Sequence, residues 1–333
     1  MAPDTLVLGS NGYLGLHVVD ALRAEGVDPR CGRRPRSNVL GLRSRKARMV
    51  AADLDDPASL DAAMQGVDTV VHVAGHYPRT STDRAGTMAL GERQSRAVIA
   101  AARQAGVSRL VYVSSTATVA PRSDGPSTEA DRFAAPPGFG LYHDLKWTME
   151  AIFEGATDLD VRVALPAGCI GPGDLRLGTS ALIVALARGD DPPHPDGVVS
   201  LVDPRDAALG IARLALRPDA PRRLVLSQSS VRLHALLADL AGRYGRPPPS
   251  APLSAAAAKA LADVAERDAV ATRTRPRMVR EIVDLVVHGV PLSGRLAETA
   301  LGLRYRPFTT SLTDFEGWAQ RLGFFTPSQE AHP

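Results

Sequence analysis

Cysteine is nearly absent from this chain of 333 residues, which contains only Cys31 and Cys169. Two isolated cysteines without a paired spacing indicate neither a disulfide framework nor a structural zinc site. We therefore expect a protein of a reducing compartment, the cytoplasm, with no metal site.

Long hydrophobic runs are also missing. No stretch approaches the roughly 18 uninterrupted apolar residues that a membrane-spanning helix requires. Only a few residues precede the short apolar run at 5–8, and they carry no basic segment or cleavage site of an export signal. The sequence predicts no membrane segment and no membrane partner.

Aromatic residues make up 5% of the chain, and the net charge is only +3. The basic residues are densest at 30–48, where no aromatic side chains are interleaved with them, so the pattern of a nucleic-acid surface is missing. This cluster is open to two interpretations, a solvated surface or a phosphate site. We expect no nucleic-acid partner.

What the chain does have is a glycine-rich turn between a predicted strand at 5–8 and a helix at 13–24. In this arrangement small residues let the backbone approach a pyrophosphate at the positive N-terminus of the helix. A plain strand-to-helix turn is the alternative. The predicted cofactor contacts in the turn are Gly9, Asn11, Gly12, Tyr13, Leu14 and Gly15.

Two arginines lie at the position where a dinucleotide-binding site contacts the adenosine ribose. We predict the second strand at 27–32, and about 20 residues after the glycine turn an acidic side chain favours NAD, whereas an arginine favours NADP. This chain has Arg33 and Arg34 there, while Asp28 lies near the start of that strand. A guanidinium pairs well with phosphate, so NADPH is favoured over NADH.

The apolar runs alternate between strand and helix periods, which predicts a parallel sheet covered on both faces. The fold class is α/β, a Rossmann-type doubly wound sheet with a smaller, mostly helical C-terminal part. Residues 1–172 would form the dinucleotide-binding domain with the catalytic residues. Residues 173–333 would form the substrate-binding part, with some segments returning to the sheet. The predicted strands are 5–8, 27–32, 47–51, 69–73, 109–113 and 161–165, and the helices 13–24, 92–104, 142–154, 231–244 and 254–269.

Further cofactor contacts are expected at two strand ends. Asp53 and Leu54 follow the third strand, where Asp53 could accept from the adenine amino group or cap a helix. Val73, Ala74 and Gly75 are small enough for a dinucleotide to lie against the sheet edge, although a strand-ending turn also explains them.

Tyr142 and Lys146 are four residues apart on a predicted helix and therefore share one face. A nearby ammonium favours the phenolate, so we expect it to lower the pKa of Tyr142 from about 10. Ser114, Ser115 and Thr116 follow a predicted strand, at the edge where doubly wound sheets bind ligands. Thr116 is the candidate catalytic hydroxyl, and Ser114 and Ser115 are expected to cap backbone groups.

Taken together, these residues resemble the extended short-chain dehydrogenase/reductases, the NAD(P)-dependent epimerase/dehydratase-like group. The resemblance covers nearly the whole chain. Within this group, the sequence resembles the branch of dihydroflavonol reductases and 3β-hydroxysteroid dehydrogenases. The motifs that carry it are Gly9 to Gly15, Asp53-Leu54, His72 to Gly75, Leu110 to Val119, Tyr142-x-x-x-Lys146, Leu165 to Asp174 and Val202-Asp203.

The resemblance implies roles for these positions. Tyr142 would be the general acid-base, Thr116 the catalytic hydroxyl that also meets substrate, and Lys146 the residue that holds the nicotinamide ribose. Ser114, Pro166 and Cys169 would face the cofactor, and His76 and Tyr77 the substrate pocket, although a surface loop also explains the last pair.

Two departures from the family pattern bear on the substrate class and on the set of catalytic residues. Gly168 stands where many sugar-nucleotide members have an asparagine, which argues against a nucleotide-sugar substrate. Gly91 aligns with another frequent asparagine, so a fourth catalytic residue stays unassigned.

The sequence therefore predicts an NADPH-dependent reductase of a ketone or aldehyde on a small, largely apolar metabolite. One alternative is an epimerase or dehydratase that retains its cofactor. Another is a non-catalytic NADP(H)-binding regulator, against which the complete set of Thr116, Tyr142 and Lys146 argues. A homodimer is compatible with the family.

Overall fold

The computed structural model describes residues 3–75, 82–274 and 276–325. Ten strands and twelve α-helices are described within these ranges. The strands are β1 (Thr5–Leu8), β2 (Arg30–Arg33), β3 (Arg48–Ala51), β4 (Thr69–His72), β5 (Arg109–Val113), β6 (Asp160–Pro166), β7 (Gly168–Cys169), β8 (Val198–Val202), β9 (Arg223–Leu226) and β10 (Ser229–Arg232). The helices are α1 (Tyr13–Ala24), α2 (Leu40–Ser44), α3 (Pro57–Met64), α4 (Arg84–Ala105), α5 (Leu141–Glu154), α6 (Ala181–Arg188), α7 (Pro204–Leu216), α8 (Leu233–Arg243), α9 (Ala255–Thr272), α10 (Arg280–Val287), α11 (Arg295–Leu301) and α12 (Phe308–Arg321).

Seven strands form one parallel sheet in the order β3-β2-β1-β4-β5-β6-β9. The order reverses direction at β1, between β2 and β4. In doubly wound sheets such a reversal opens a crevice at the carboxyl ends of the strands, where ligands bind. The predicted α/β fold class is confirmed.

Alternate residues of the strands enter two different cores. Val7 packs with α1 and α7 on one face of the sheet, while Leu6 and Leu8 pack with α3, α4 and α5 on the other. Because both faces are covered, all four residues of β1 are buried. This is why the strand is a short continuous apolar run rather than an alternating one.

The C-terminal part supplies a second, smaller layer. β7, β8 and β10 form a three-stranded sheet, and α6, α8 and α12 share an apolar core beside it. α9 and α10 pack as a pair around a small cluster of Ala258, Ala262 and Val283. β9 and α7, which also follow residue 172, belong to the large sheet and to its helical cover.

Some predicted elements have different bounds in the structure. α4 begins at Arg84, eight residues before the predicted start at residue 92. β2 begins at Arg30 rather than at residue 27, because the Val27 N–H bonds back to Leu22 and Pro29 precedes the strand. Arg33 is consequently the last residue of β2. Val231 and Arg232, predicted as the start of a helix, belong to β10 and pair with Val199 and Val198. None of the described helices has both the length and the apolar character needed to cross a membrane.

Candidate active site

The turn after β1 is too tight for any residue larger than glycine at two positions. Gly9 has a φ of +81°, and a Cβ on it would lie 2.6 Å from the Ala74 nitrogen. A Cβ on Gly15 would lie 2.1 Å from the Gly9 carbonyl oxygen. Gly12 precedes α1, and no side chain caps this end of the helix. The first turn of α1 therefore has no side-chain acceptor at its cap, which leaves its N–H groups suited to an anionic pyrophosphate.

Side chains of this turn and helix anchor the segment that follows β7. The Tyr13 hydroxyl donates to the Gly171 carbonyl at 2.9 Å, and His17 Nε2 lies 3.0 Å from the Pro172 carbonyl oxygen. The Asn11 side chain donates to the Asn38 carbonyl at 3.4 Å. With their side chains engaged in this way, Tyr13 and Asn11 would reach a cofactor through the backbone.

Arg33 ends β2 at the crevice, next to the turn. Its Nη1 donates to the Pro35 carbonyl at 3.3 Å, while its Nε is buried and has no hydrogen-bond partner among the described residues. An unsatisfied charged donor is costly, so this nitrogen suits an incoming anion. Arg34, the next residue, is exposed to solvent.

The two interpretations of Asp53 can be separated. The cap of α3 is Asp56, whose carboxylate accepts from the Ser59 N–H. Asp53 accepts from the Asp55 N–H at 3.2 Å, within the turn after β3. The helix-capping alternative for Asp53 is therefore wrong, and its contact with adenine stays a prediction. Leu54 is half-buried and packs against the core of α3 and α4.

The end of β4 stays close to β1. The N–H groups of Val73 and Ala74 both bond to the Leu8 carbonyl at 3.0 Å. Gly75 follows them, and a Cβ there would lie 3.9 Å from Lys146 Nζ. The glycine-rich turn and the predicted catalytic lysine thus border one crevice.

Tyr142 and Lys146 lie one turn apart in the first half of α5, and both are more than nine-tenths buried. Lys146 Nζ is 5.5 Å from the centre of the Tyr112 ring and 5.9 Å from that of Tyr142. It also donates to the Val113 carbonyl at 3.5 Å. The ammonium is thus held at the end of β5, between two aromatic rings that favour a cation.

Burial decides the protonation of this pair. It raises the pKa of Tyr142 to about 12, against the opposing effect of a hydrogen bond with Ser115. It lowers the pKa of Lys146 to about 8, against the opposing effect of Glu150. The expected lowering of the tyrosine pKa is therefore wrong: desolvation of the phenolate outweighs the hydrogen bond with Ser115. At neutral pH Tyr142 is protonated and can donate a proton.

The three hydroxyls after β5 point to different partners. Ser114 donates to Glu150 Oε2 at 2.7 Å, so the expectation that it caps a backbone group is wrong, and its contact with the cofactor stays a prediction. Ser115 accepts from the Ala117 N–H at 3.2 Å and also bonds with the Tyr142 side chain. Thr116 is half-buried and begins a single 3₁₀ turn, Thr116–Thr118. The expectation that Ser115 only caps backbone groups is wrong. The signal in the sequence for its contact with Tyr142 was its position directly before Thr116.

A buried ion pair lies behind these hydroxyls, which sequence reasoning missed. Glu150 Oε1 accepts from Arg223 Nε at 2.8 Å, and both side chains are about 5% exposed. Glu150 Oε2 accepts from Ser114 and from Thr118, each at 2.7 Å. One carboxylate therefore ties down both ends of the turn that carries Ser115 and Thr116. The signal in the sequence for the role of Glu150 was its spacing, four residues after Lys146 on the same face of the helix.

The segment beyond β6 borders the same crevice. Pro166 ends β6, and Cys169 lies in β7, where burial raises the pKa of its thiol to about 12. Gly168 pairs with Leu201, and a Cβ on it would come within 3.2 Å of the Ser200 carbonyl oxygen. Gly168 is therefore tightly packed against β8, and the exclusion of a nucleotide-sugar substrate stays a prediction.

Gly91 has a structural explanation of its own. It lies in α4 where that helix crosses α5, and a Cβ on it would be 2.5 Å from Leu145 Cδ1 and 3.3 Å from Met149 Sδ. The glycine brings the two helices together. His76 and Tyr77, the predicted substrate contacts, lie outside the described residues.

Comparison with known proteins agrees with this geometry. The model of the NAD dependent epimerase/dehydratase family matches residues 5–191. A protein of Synechocystis sp. named "Putative dihydroflavonol 4-reductase" is 27% identical over 97% of this chain and 96% of its own length. Among solved structures, gox2253 has a TM-score of 0.82 at 27% identity, covering 97% of this chain and 100% of that one. PA4631, a nucleoside-diphosphate-sugar epimerase from Pseudomonas aeruginosa, has a TM-score of 0.80 at 25% identity, covering 98% and 100%.

Proposed function

Since the chain belongs to the NAD dependent epimerase/dehydratase family, a family of NAD(P)-dependent enzymes with small-molecule substrates, we propose that it is a cytoplasmic NADPH-dependent reductase of ketones or aldehydes. Its substrate would be a small, largely apolar metabolite. The reductase name of the Synechocystis relative, which matches nearly the whole chain, supports this choice.

The observation that carries the proposal is the protonated, buried phenol of Tyr142. A reduction of a carbonyl needs a proton for the oxygen, and a phenol with a pKa of about 12 holds that proton at neutral pH. Its hydrogen bond with Ser115 fixes the position of the phenol oxygen, and Lys146 places a positive charge beside it.

Each residue then has a distinct task. Tyr142 donates the proton to the substrate oxygen, and Ser115 and Thr116 orient that oxygen from the end of β5. The Lys146 ammonium stabilises the phenolate that forms and would hold the nicotinamide ribose. NADPH, when bound, supplies the hydride.

The preference for NADPH rests on Arg33. Its unpartnered Nε and its place at the end of β2 suit the 2′-phosphate, with Arg34 beside it in solvent. The remaining predicted contacts, among them Asp53, Pro166 and Cys169, would line the rest of the dinucleotide. The substrate would lie between this edge and the C-terminal layer of residues 173–333.

The direct test is the variant Tyr142→Phe, which keeps the ring and removes the proton donor. General acid catalysis contributes about 100- to 10,000-fold, so turnover with apolar ketones should fall by at least ~100-fold. NADPH affinity, measured by fluorescence titration, should stay unchanged, because the phosphate contacts are elsewhere. Near-normal turnover in this variant would exclude Tyr142 as the acid.

An epimerase or dehydratase is the second candidate, favoured by the similarity to PA4631 over the whole chain. Such an enzyme returns the hydride and keeps its cofactor bound. Purified protein that retains NAD tightly, with no exchange for added NADPH, would select this candidate over the reductase.

A further inference from the structure

The first turn of α5 carries Tyr142, and this is the weakest part of any helix. The opening N–H groups of a helix have no partner within it, and an uncapped first turn frays. The residue before α5 is Gly140, and no side chain caps the helix from there. The predicted proton donor is therefore on a turn that its own segment does not secure.

The acceptor that caps this turn comes from α10, in the C-terminal part of the sequence. Glu281 Oε2 accepts from the Tyr142 backbone N–H at 2.6 Å, across 139 residues of sequence. Glu281 is only 1% exposed. A buried carboxylate at a helix N-terminus makes a strong, charge-assisted hydrogen bond and is favoured by the helix dipole.

The surroundings of this contact are built for close approach. Asp284 lies one turn further along α10, and a Cβ on Gly140 would be 2.6 Å from its Oδ2. Only glycine lets α10 come so near. Asp284 is paired with Lys259 at 2.8 Å and with Arg280 at 3.3 Å, so these two cations balance the added negative charge.

We propose that Glu281 is a positioning residue for Tyr142: from the C-terminal part it caps α5 and thereby holds the phenol in its reactive place. The inference rests on the proposed role of Tyr142. It adds that the docking of α10 governs turnover, although α10 supplies no group to the chemistry.

The test compares Glu281→Ala, which removes the cap, with Glu281→Gln, whose amide oxygen still accepts from the N–H. Glu316→Gln is the matched control, because Glu316 is a buried carboxylate of the same C-terminal part that pairs with Arg243 and Tyr244 instead. For each protein one measures kcat, KM, NADPH affinity and amide hydrogen exchange over residues 139–147.

Loss of a helix cap shifts the ratio of ordered to frayed turn by about 2- to 30-fold. We expect Glu281→Ala to lower kcat and speed exchange at 139–147 by a factor in this range, with NADPH affinity unchanged. Glu281→Gln should recover most of kcat and lose only the dipole contribution, about 2- to 5-fold in exchange. Glu316→Gln should alter neither quantity.

Unchanged kcat and unchanged exchange at 139–147 in Glu281→Ala overturn the inference. If that variant does not fold, the same two readouts in Glu281→Gln decide: exchange no faster than in the parent protein overturns it. The proposed function is judged separately by Tyr142→Phe. A loss of turnover there, together with full turnover in Glu281→Ala, leaves the reductase standing and removes only the role of Glu281.

Discussion

A phenol at the position of Tyr142 is subject to two opposing influences. Burial disfavours the phenolate, and the hydrogen bond with Ser115 favours it, with a net pKa of about 12. Sequence spacing reveals the neighbour Lys146 but not the depth of burial, so the expected direction of the shift was wrong. For a proton donor this outcome is suitable, since the proton is in place before the reaction.

At the same scale, Arg33 should determine which dinucleotide binds. Because charge-assisted bonds to phosphate each contribute about 1.5–3 kcal/mol, Arg33→Ala should weaken NADPH binding by about 10- to 100-fold. NADH, which lacks the 2′-phosphate, should bind as before. Titration of both cofactors by fluorescence checks this.

Arg36→Ala is the matched control for Arg33, since it removes the same charge from an exposed position three residues further on. We expect a small effect of Arg36→Ala on NADPH, from long-range charge alone. Equal losses of NADPH affinity in the two variants would mean that the basic cluster acts only through its overall positive charge and that Arg33 makes no specific contact.

Among the elements, α5 organises the site. Tyr142, Lys146 and Glu150 follow at intervals of four residues along one face. The first is the predicted acid, the second the cation beside it, and the third anchors the turn of Ser115 and Thr116 through its bonds to Ser114 and Thr118. A displacement of this helix would therefore disturb all three functions together.

The contact of α5 with α4 depends on Gly91, and a pair of helical glycines tests this. Gly91→Ala should lower the free energy of unfolding by about 1–3 kcal/mol, because its Cβ would overlap with Leu145. In Gly317→Ala, within α12, the nearest atom would be Arg321 Nη1 at 3.5 Å. That substitution should stabilise the protein by about 0.5–1 kcal/mol.

Urea unfolding of the two glycine variants, with the parent protein as reference, provides the measurement. Equal effects would mean that glycine acts at both sites only through helix propensity. The same experiment bears on the asparagine that the family resemblance led us to expect at this position. Gly91→Asn should destabilise the protein still more and should not raise kcat.

At the scale of the whole molecule, segments after residue 172 contribute to both layers. β9 and α7 return to the large sheet after residue 172, while α6, α8 and α12 build the second core. The large sheet thus depends on segments from both halves of the sequence, as the pair Glu150–Arg223 does. We expect the two layers to unfold together rather than as independent domains.

Acid should destabilise the fold through histidines that are buried in neutral form. His72 is fully buried between Tyr112 and Phe153, neither ring nitrogen has a hydrogen-bond partner within the described part of the chain, and burial lowers its pKa to about 3. The unfolded chain binds its proton near pH 6.5, so stability is present above that pH and is lost as the pH falls towards 3. At pH 5.5 this loss amounts to about 1.4 kcal/mol.

The variant His72→Phe isolates this contribution, because all other titrating groups stay the same. Urea unfolding at about pH 7.5 and about pH 5.5 should show a loss of stability on acidification that is about 1.4 kcal/mol smaller than in the parent protein. Identical losses in the two proteins would show that His72 does not take up a proton on unfolding.

The sequence by itself determined the fold class and the family, and it predicted the first six strands of the chain, because these depend on short-range patterns. The strand at 5–8, the glycine turn and the pairing of Tyr142 with Lys146 are all local, and most strands in the middle of the large sheet are short apolar runs. Boundaries such as the start of β2 were less certain, since Pro29 and a backbone bond to Leu22 fix them.

Only the tertiary structure decided what surrounds those residues. Burial set the protonation of Tyr142, while Arg223 and Glu281 contact α5 from residues 73 and 139 positions away. Gly91 and Gly140 were found to be packing positions for neighbouring helices rather than turns. Such contacts join residues that share no periodic pattern, and desolvation depends on the whole surrounding core, so neither can be read from local sequence.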